Sequence, residues 1–178
     1  MIAYRIIPSP LGDVLLRADE ARLSGLFFVG QKYYPAAATP AAAVPAAARA
    51  VFEQAAGELE DYFAERLRAF TVPLALGGSA FQHAVWQALC AIPFGETVSY
   101  GGLAAELGLP PTHARAVGGA VGRNPLSVIV PCHRVLGAGG GLTGYAGGTD
   151  RKRALLRLEG TAAATALPIL RQSALAFA

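Results

Sequence analysis

Cysteine and histidine are scarce in this sequence, and their scarcity limits the kinds of site that it can build. Its 178 residues include two cysteines, three histidines, one tryptophan and one methionine. Two cysteines are too few for a disulfide scaffold, and no Cys or His pair has zinc-site spacing. We therefore expect no structural metal. Cys90 falls at the end of an amphipathic helical pattern and is expected to be a core residue, which leaves Cys132 as the candidate reactive thiol in a reducing compartment.

Long hydrophobic runs are also absent. Proline, glycine or charge interrupts every apolar run well short of a membrane span, and Arg5 and Pro8 interrupt the first one, which predicts no secretory signal. Hydrophobic residues make up 53% of the chain and charged residues 15%, so the sequence can bury a core and is not a disordered tail. We expect a cytoplasmic protein of one domain or two small ones.

Basic charge is concentrated in the second half of the chain. Residues 1–78 carry seven Lys or Arg against eight Asp or Glu, whereas residues 79–178 carry eight against four. Thirteen of the fifteen basic residues are Arg, the better type for bidentate phosphate contacts. This distribution predicts that the second half faces a polyanion.

The first half is predicted to form a small antiparallel sheet followed by a helix. Three short apolar runs separated by turn residues predict its strands, at 2–7, 14–16 and 23–29. An Ala/Pro-rich stretch at 35–48 is interpreted as a loop, and residues 47–67 have helical spacing. A further strand is predicted over 70–76, and Gly77-Gly78 marks the end of a first domain, 1–78.

The second half is predicted to be helical and to contain a helix-turn-helix. Ser79 can cap an amphipathic helix that stops before Pro93. Two short helices follow, one over 100–107 and one capped by Thr112 that reaches about Val121. The tight turn between them is typical of a DNA-binding helix-turn-helix, although a packed helical bundle explains the same pattern.

The candidate reactive residues follow a buried strand predicted over 126–130. That strand leads to Pro131-Cys132-His133-Arg134-Val135, where cationic neighbours are expected to lower the pKa of the Cys132 thiol and favour the nucleophilic thiolate. Neighbouring side chains of a strand point to opposite faces. His133 could therefore contact the sulfur only if the chain turns there, or through a water. A buried cysteine beside a chance histidine is the alternative.

Together, these motifs resemble the O6-alkylguanine-DNA alkyltransferases, the methylated-DNA–protein-cysteine methyltransferases. The resemblance is carried by residues 93–100, 114–120, 124–125, 129–135, 144–148 and 155–160. It implies an α+β fold in which a small N-terminal antiparallel sheet with a helix, of ribonuclease H-like form, packs against a C-terminal winged helix-turn-helix domain over 79–160. The tail, 161–178, lies beyond the resemblance and has no assigned role.

The resemblance implies DNA repair by direct transfer of an alkyl group from O6-alkylguanine, and more weakly from O4-alkylthymine, to Cys132. His133 would remove the thiol proton through a water, Glu159 would orient that imidazole, and Asn124 would tie the helix-turn-helix to the active-site segment. Each molecule would react once, because a thioether has no easy leaving group. The resemblance implies no metal, cofactor, membrane or obligate protein partner.

Further roles follow from the same resemblance, which implies double-stranded DNA as the partner. Tyr100 would donate a hydrogen bond to the flipped guanine, in a pocket lined by Pro131, Val135, Tyr145 and Ala146. Arg115 would fill the gap that the flipped nucleotide leaves, with its helix in the minor groove. The other predicted DNA contacts are Ser99, Gly118, Arg123, Arg151 and Lys152.

Two other functions are compatible with parts of the sequence. A Cys–His acyl hydrolase would use the same thiol and imidazole, but Cys132 and His133 are adjacent and no oxyanion loop is evident. A non-catalytic protein that binds alkylated bases would share the scaffold. Such relatives have lost the acceptor cysteine, whereas Cys132 is present.

Overall fold

The computed structural model describes residues 1–36 and 44–165, with side chains described through residue 163. It begins with the predicted antiparallel meander, in which β1 (Ile2–Ile7), β2 (Val14–Asp19) and β3 (Arg22–Phe28) lie in that order. Alternating and continuous apolar residues suit strands that are buried on one or both faces. β3 is buried from Leu23 onward, so it lies at the centre of the packing between the two halves of the chain.

The outer edge of β3 is paired with a segment that is not itself a strand. The main chain of Leu23 donates to Pro73 O at 2.8 Å and accepts from Ala75 N at 2.8 Å, which leaves a single bridge to Leu74. The prediction of a strand over 70–76 is therefore wrong. Pro73 has no N–H to donate, so the ladder cannot continue through it.

Further along β3, Leu26 is bridged in the same way to Leu126 of the second half. The chain then folds into tight turns, with Ile129 N bonded to Ser127 O and Val130 N bonded to Leu126 O, both at 2.9 Å. Val128 has a φ of +73°, which a strand does not contain. The predicted strand over 126–130 is therefore wrong, although its apolar side chains are buried as expected.

Helix α1 (Ala46–Phe63) covers the sheet with one apolar face. Its buried side chains include Phe52, Leu59 and Tyr62. The helix begins inside the predicted loop over 35–48, of which residues 37–43 lie outside the described residues, and it ends four residues before the predicted limit at 67. Glu65 has a φ of +60°, a left-handed conformation that ends the helical path.

Helix α2 (Ala80–Cys90) begins at the predicted cap, Ser79, whose side chain accepts from Gln82 N while Gln82 caps the Ser79 N–H in return. Trp86 is a core residue, and its Nε1 donates to Ala120 O at 3.0 Å. Cys90 is exposed, so the expectation that it is a core residue is wrong. It follows buried Leu89 directly and lies about 100° further round the helix, outside the buried face.

The helix-turn-helix is present, and α2 packs against it. After the two-residue strand β4 (Val98–Ser99), α3 (Tyr100–Glu106) is capped by Ser99, and α4 (Ala114–Gly122) follows. Thr112 is not the cap of α4, because a 3-10 turn at Pro111–His113 precedes the helix and its cap position is His113, without a side-chain bond. The two prolines before Thr112 direct the chain into this turn.

The remaining elements close the structure around the end of the Cys132 segment. A 3-10 turn at Cys132–Arg134 leads to β5 (Val135–Leu136), which pairs in parallel with β4. After a glycine-rich loop come α5 (Thr149–Leu158) and α6 (Ala162–Thr165), and the rest of the predicted tail lies outside the described residues.

The predicted α+β class is confirmed, and buried residues from both halves form one core. The domain limits at 78 and 160 stay predictions. In the described part of the chain, no helix is long and apolar enough to cross a membrane.

Candidate active site around Cys132

Cys132 lies at the start of a 3-10 turn and is 5% exposed. Asn124, two residues after α4, holds both the thiol and the loop that precedes it. The Asn124 Nδ2 donates to Val130 O at 2.8 Å and to Cys132 Sγ at 3.1 Å, while its Oδ1 accepts from Leu126 N at 2.9 Å. One buried amide thus fixes the sulfur relative to the end of the helix-turn-helix.

His133 is fully buried, and its Nε2 lies 2.7 Å from Glu159 Oε1. A carboxylate at this distance accepts a hydrogen bond. We therefore assign the ring proton of neutral His133 to Nε2 and the free lone pair to Nδ1. Among the described residues, Nδ1 has no hydrogen-bond partner. The chain therefore presents a buried base next to the Cys132 thiol in sequence.

Glu159 is also held by two side chains that the sequence did not reveal as site residues. Arg134 donates a hydrogen bond to each carboxylate oxygen, from Nε to Oε2 at 2.8 Å and from Nη2 to Oε1 at 2.9 Å. The Tyr62 hydroxyl donates to Oε1 at 2.7 Å. Arg134 stands beside His133 in the motif and could have been considered. Tyr62 lies 97 residues away from Glu159 and looked like an ordinary residue of an apolar helix face.

The expected low pKa of the Cys132 thiol is not found. Burial raises the pKa of Cys132, and the hydrogen bond from Asn124 and the charge of Lys152 oppose this rise only in part. The Arg134 guanidinium makes its hydrogen bonds to Glu159 and to Ile92 O and none to the sulfur. The resting group is therefore a thiol, and a base has to remove its proton before it can act as a nucleophile.

The protonation states of His133 and Glu159 suit removal of the proton from Cys132. Burial lowers the pKa of His133, and the Glu159 carboxylate opposes this effect only partly, so the ring is neutral near pH 7. Burial acts to raise the pKa of Glu159, but the hydrogen bonds from His133 and Arg134 outweigh it and hold that pKa well below its ordinary value. Neutral imidazole beside an ionised carboxylate is a competent general base.

Three of the predicted pocket residues lie around the loop that follows β5. The Tyr100 hydroxyl is 3.4 Å from both Thr143 O and Gly144 O, and Tyr145 follows directly with a half-buried side chain. Ala146 accepts a hydrogen bond from Lys32 N through its carbonyl. Burial and the nearby Cys132 raise the pKa of Tyr100, so its hydroxyl stays protonated as a donor.

The other two predicted pocket residues, Pro131 and Val135, are buried on either side of the Cys132–Arg134 turn. The carbonyl of Val135 accepts from Lys152 Nζ, which also donates to Thr143 O at 3.1 Å. Lys152 therefore ties β5 to the loop that carries Tyr145.

The predicted phosphate contact at Lys152 is wrong, whereas the one at Arg151 stays a prediction. Lys152 is fully buried, because its ammonium satisfies the two carbonyls just described. Arg151 is half-buried, donates to Leu11 O at 2.8 Å and to Gly147 O at 3.0 Å, and lies 4.7 Å over the Phe28 ring. Both cations thus hold elements of the protein together.

The other predicted DNA contacts lie on or beside the helix-turn-helix. Arg115 is exposed near the start of α4, and Arg123 is exposed just after its end. Gly118 lies between them and faces the Tyr100 ring, which is 3.6 Å from the position that a Cβ would take. Ser99 is exposed, but its hydroxyl accepts from Gly102 N. Their contacts with DNA stay predictions. In the described residues, no group of three His, Cys, Asp or Glu side chains could hold a metal ion.

Both halves of the chain match models of known protein families. Residues 80–161 match the family model described as 6-O-methylguanine DNA methyltransferase, DNA binding domain, and residues 2–76 match the ribonuclease-like domain of the same enzymes. The chain belongs to the 6-O-methylguanine DNA methyltransferase family. The predicted family and its two-part fold are therefore confirmed.

Relatives of known name agree with membership in the methyltransferase family. The methylated-DNA--protein-cysteine methyltransferase of Mycobacterium bovis is 48% identical over 159 residues, which cover 89% of this chain and 93% of that protein. The protein of the same name from Methanosarcina acetivorans is 47% identical, with 89% and 98% covered. The crystal structure of Mycobacterium tuberculosis OGT in complex with DNA has a TM-score of 0.79 and 46% identity, with 91% and 96% covered.

Proposed function

We infer that this protein repairs DNA by transferring the alkyl group of O6-alkylguanine, and more weakly that of O4-alkylthymine, to Cys132. The observation that carries this inference is the buried thiol of Cys132, which Asn124 holds at 3.1 Å next to the His133–Glu159 pair. Methylated-DNA--protein-cysteine methyltransferase is also the name of its relatives.

The proposed reaction begins with removal of the thiol proton. His133 Nδ1 takes that proton from Cys132 through a bridging water, and the Glu159 carboxylate stabilises the imidazolium that forms. The thiolate then attacks the saturated carbon bonded to guanine O6. The S–C bond forms as the C–O bond breaks, with its electron pair passing to the guanine.

Departure of the guanine completes the balance of charge and protons. The Tyr100 hydroxyl donates a hydrogen bond to the leaving base, in the pocket bounded by Pro131, Val135, Tyr145 and Ala146, and the proton taken from the thiol is returned to guanine. The products are unmodified guanine and S-alkylcysteine. Because a thioether is a poor leaving group, the protein is consumed, and the reaction needs no cofactor or metal.

The alkylated base has to leave the duplex before the buried sulfur can reach it. We propose that α4 enters the minor groove of double-stranded DNA and that exposed Arg115 fills the space left in the stack. Ser99, Gly118 and Arg123 lie on or beside the same motif and would contact the sugar-phosphate backbone. The exposed positions of Arg115 and Arg123 on either side of α4 support this orientation. We place the reaction in the cytoplasm, at the nucleoid.

The test is a single-turnover transfer assay with duplex DNA labelled on the O6-methyl group. We expect at most one label per protein molecule, located on Cys132 by peptide mass spectrometry and absent from Cys132→Ala. Cys90→Ala is the matched control and keeps full transfer. Because Cys90 is exposed and Cys132 is buried, unassisted alkylation would favour Cys90. Label on Cys90 would contradict the proposal, and continued turnover would indicate a hydrolase instead.

A further inference from the structure

Tyr62, near the end of α1, brings a hydroxyl from the N-terminal half into the network around His133. It donates to Glu159 Oε1 at 2.7 Å and is fully buried. We propose that Tyr62 is a positioning residue through which the N-terminal half of the protein sets the proton affinity of His133. This inference rests on the function proposed above, in which His133 is the base.

The geometry at the Glu159 carboxylate is unusual in that one oxygen receives three donors. His133 Nε2 and the Tyr62 hydroxyl each lie 2.7 Å from Oε1, and Arg134 Nη2 lies 2.9 Å from it. Each hydrogen bond to an ionised acceptor draws charge from that oxygen. The Tyr62 bond therefore reduces the negative charge available to stabilise protonated His133.

The Tyr62 ring is held rigidly enough for its hydroxyl to have one target. Phe63 and Phe70 lie 5.4 Å from its centroid, and Phe94 of the second half lies 6.1 Å away, edge-on. Burial and the Glu159 carboxylate raise the pKa of Tyr62 far above its ordinary value, so the hydroxyl remains a donor. This aromatic cluster places the donor before substrate arrives.

Several charged or titratable groups act on His133, and Tyr62 can be separated from them. Glu159 and Lys152 act from α5 and its end, while Cys132 and Arg134 belong to the same turn as His133. Replacing Tyr62 by Phe changes no formal charge. The two bonds from Arg134 to Glu159 keep the carboxylate in place in that variant, so its direct effect is on the strength of the Glu159–His133 interaction.

The experiment compares Tyr62→Phe with Tyr4→Phe, which removes a half-buried hydroxyl from β1 outside this network. The His133 ring is titrated by NMR. Its signal is distinguished from those of the other two histidines because it is missing in His133→Gln. In Tyr62→Phe we expect the pKa of His133 to rise by about half a unit to one unit. The acid limb of the alkyl-transfer rate should move up by the same amount, so the rate near the limb falls about three- to tenfold while the rate at pH 8 changes little.

A lower thermal unfolding midpoint in Tyr62→Phe with an unchanged His133 titration and an unchanged rate profile would overturn the proposal, since packing alone would explain it. The ring titration does not depend on alkyl transfer. Failure of the wild-type protein to accept a methyl group would therefore disprove the proposed function without affecting the measurement of His133.

Discussion

The side-chain amide of Asn124 donates both to the Cys132 sulfur, at 3.1 Å, and to the carbonyl of Val130, at 2.8 Å. A single residue at the end of the helix-turn-helix therefore fixes the nucleophile and shapes the loop in front of it. A hydrogen bond to sulfur also favours its ionised form, so this contact links the proposed DNA-binding element to the reactivity of the thiol.

Replacing Asn124 by Ala is expected to slow alkyl transfer about tenfold at pH 7 and to lower the free energy of unfolding by about 2 kcal/mol, because buried main-chain groups lose their partner. The pKa of Cys132 should rise further, since the Asn124 bond acts to lower it. Thiolate absorbance in a Cys90→Ala background measures the pKa, and chemical denaturation measures stability. An unchanged thiol titration would show that Asn124 does not act on the sulfur.

Arg115→Ala should weaken binding to methylated duplex on the order of tenfold while leaving reaction with the free base O6-benzylguanine unchanged. A free base needs no flipping, so it separates contact with DNA from chemistry at Cys132. Arg49→Ala, at an exposed position on α1, is the control and should change neither quantity. If Arg115→Ala slowed reaction with the free base as much as it weakened binding to duplex, Arg115 would act on the chemistry at Cys132 and not on contact with DNA.

Lys152 makes a specific contribution to the dependence of stability on pH. Burial lowers the pKa of Lys152 from 10.5 to about 8, partly opposed by Cys132. Between these two values the unfolded chain binds more protons than the folded one, so this group makes stability rise with pH, by at most about 1.4 kcal/mol per unit. Urea unfolding of Lys152→Met from pH 7.5 to 10.5 should lack this rise. An identical slope in both proteins would be inconsistent with a depressed pKa.

Glu159 makes the stability rise with pH in the acid range, as Lys152 does in the alkaline range. Burial acts to raise the pKa of Glu159, but the hydrogen bonds from His133 and Arg134 hold that pKa well below 4.5. Its stabilising contribution is therefore present above about pH 4.5 and is lost as pH falls towards the folded-state pKa. Glu159→Gln should be less stable than wild type by about 3 kcal/mol near neutral pH, because Arg134 loses its buried counter-charge.

The stability difference between wild type and Glu159→Gln should narrow as pH is lowered from 5 to 3, as followed by denaturant unfolding. Arg66→Ala removes the exposed pair between Arg66 and Asp61 and serves as the control, with a difference that stays small across this range. A constant gap between wild type and Glu159→Gln would contradict the assigned pKa direction.

Local patterns predicted much of the fold because local forces decide those parts. The three strands and the Ser79 cap follow from alternation and from a side chain that satisfies the first N–H groups of a helix. The strands predicted over 70–76 and 126–130 failed for a different reason. Both are apolar because they are buried against β3, and burial alone does not distinguish a strand from a compact turn.

The sequence by itself indicated the family, because its ordered motifs resemble those of the alkyltransferases, and that resemblance implied the acceptor Cys132 and the partners His133, Glu159 and Asn124. Only the tertiary structure decided that Tyr62 reaches Glu159, that Lys152 is buried instead of facing phosphate, and that the Cys132 pKa is raised. Hydrogen-bond partners and burial depend on which distant segments meet, and these quantities set the charge state of a thiol more strongly than its neighbours in sequence.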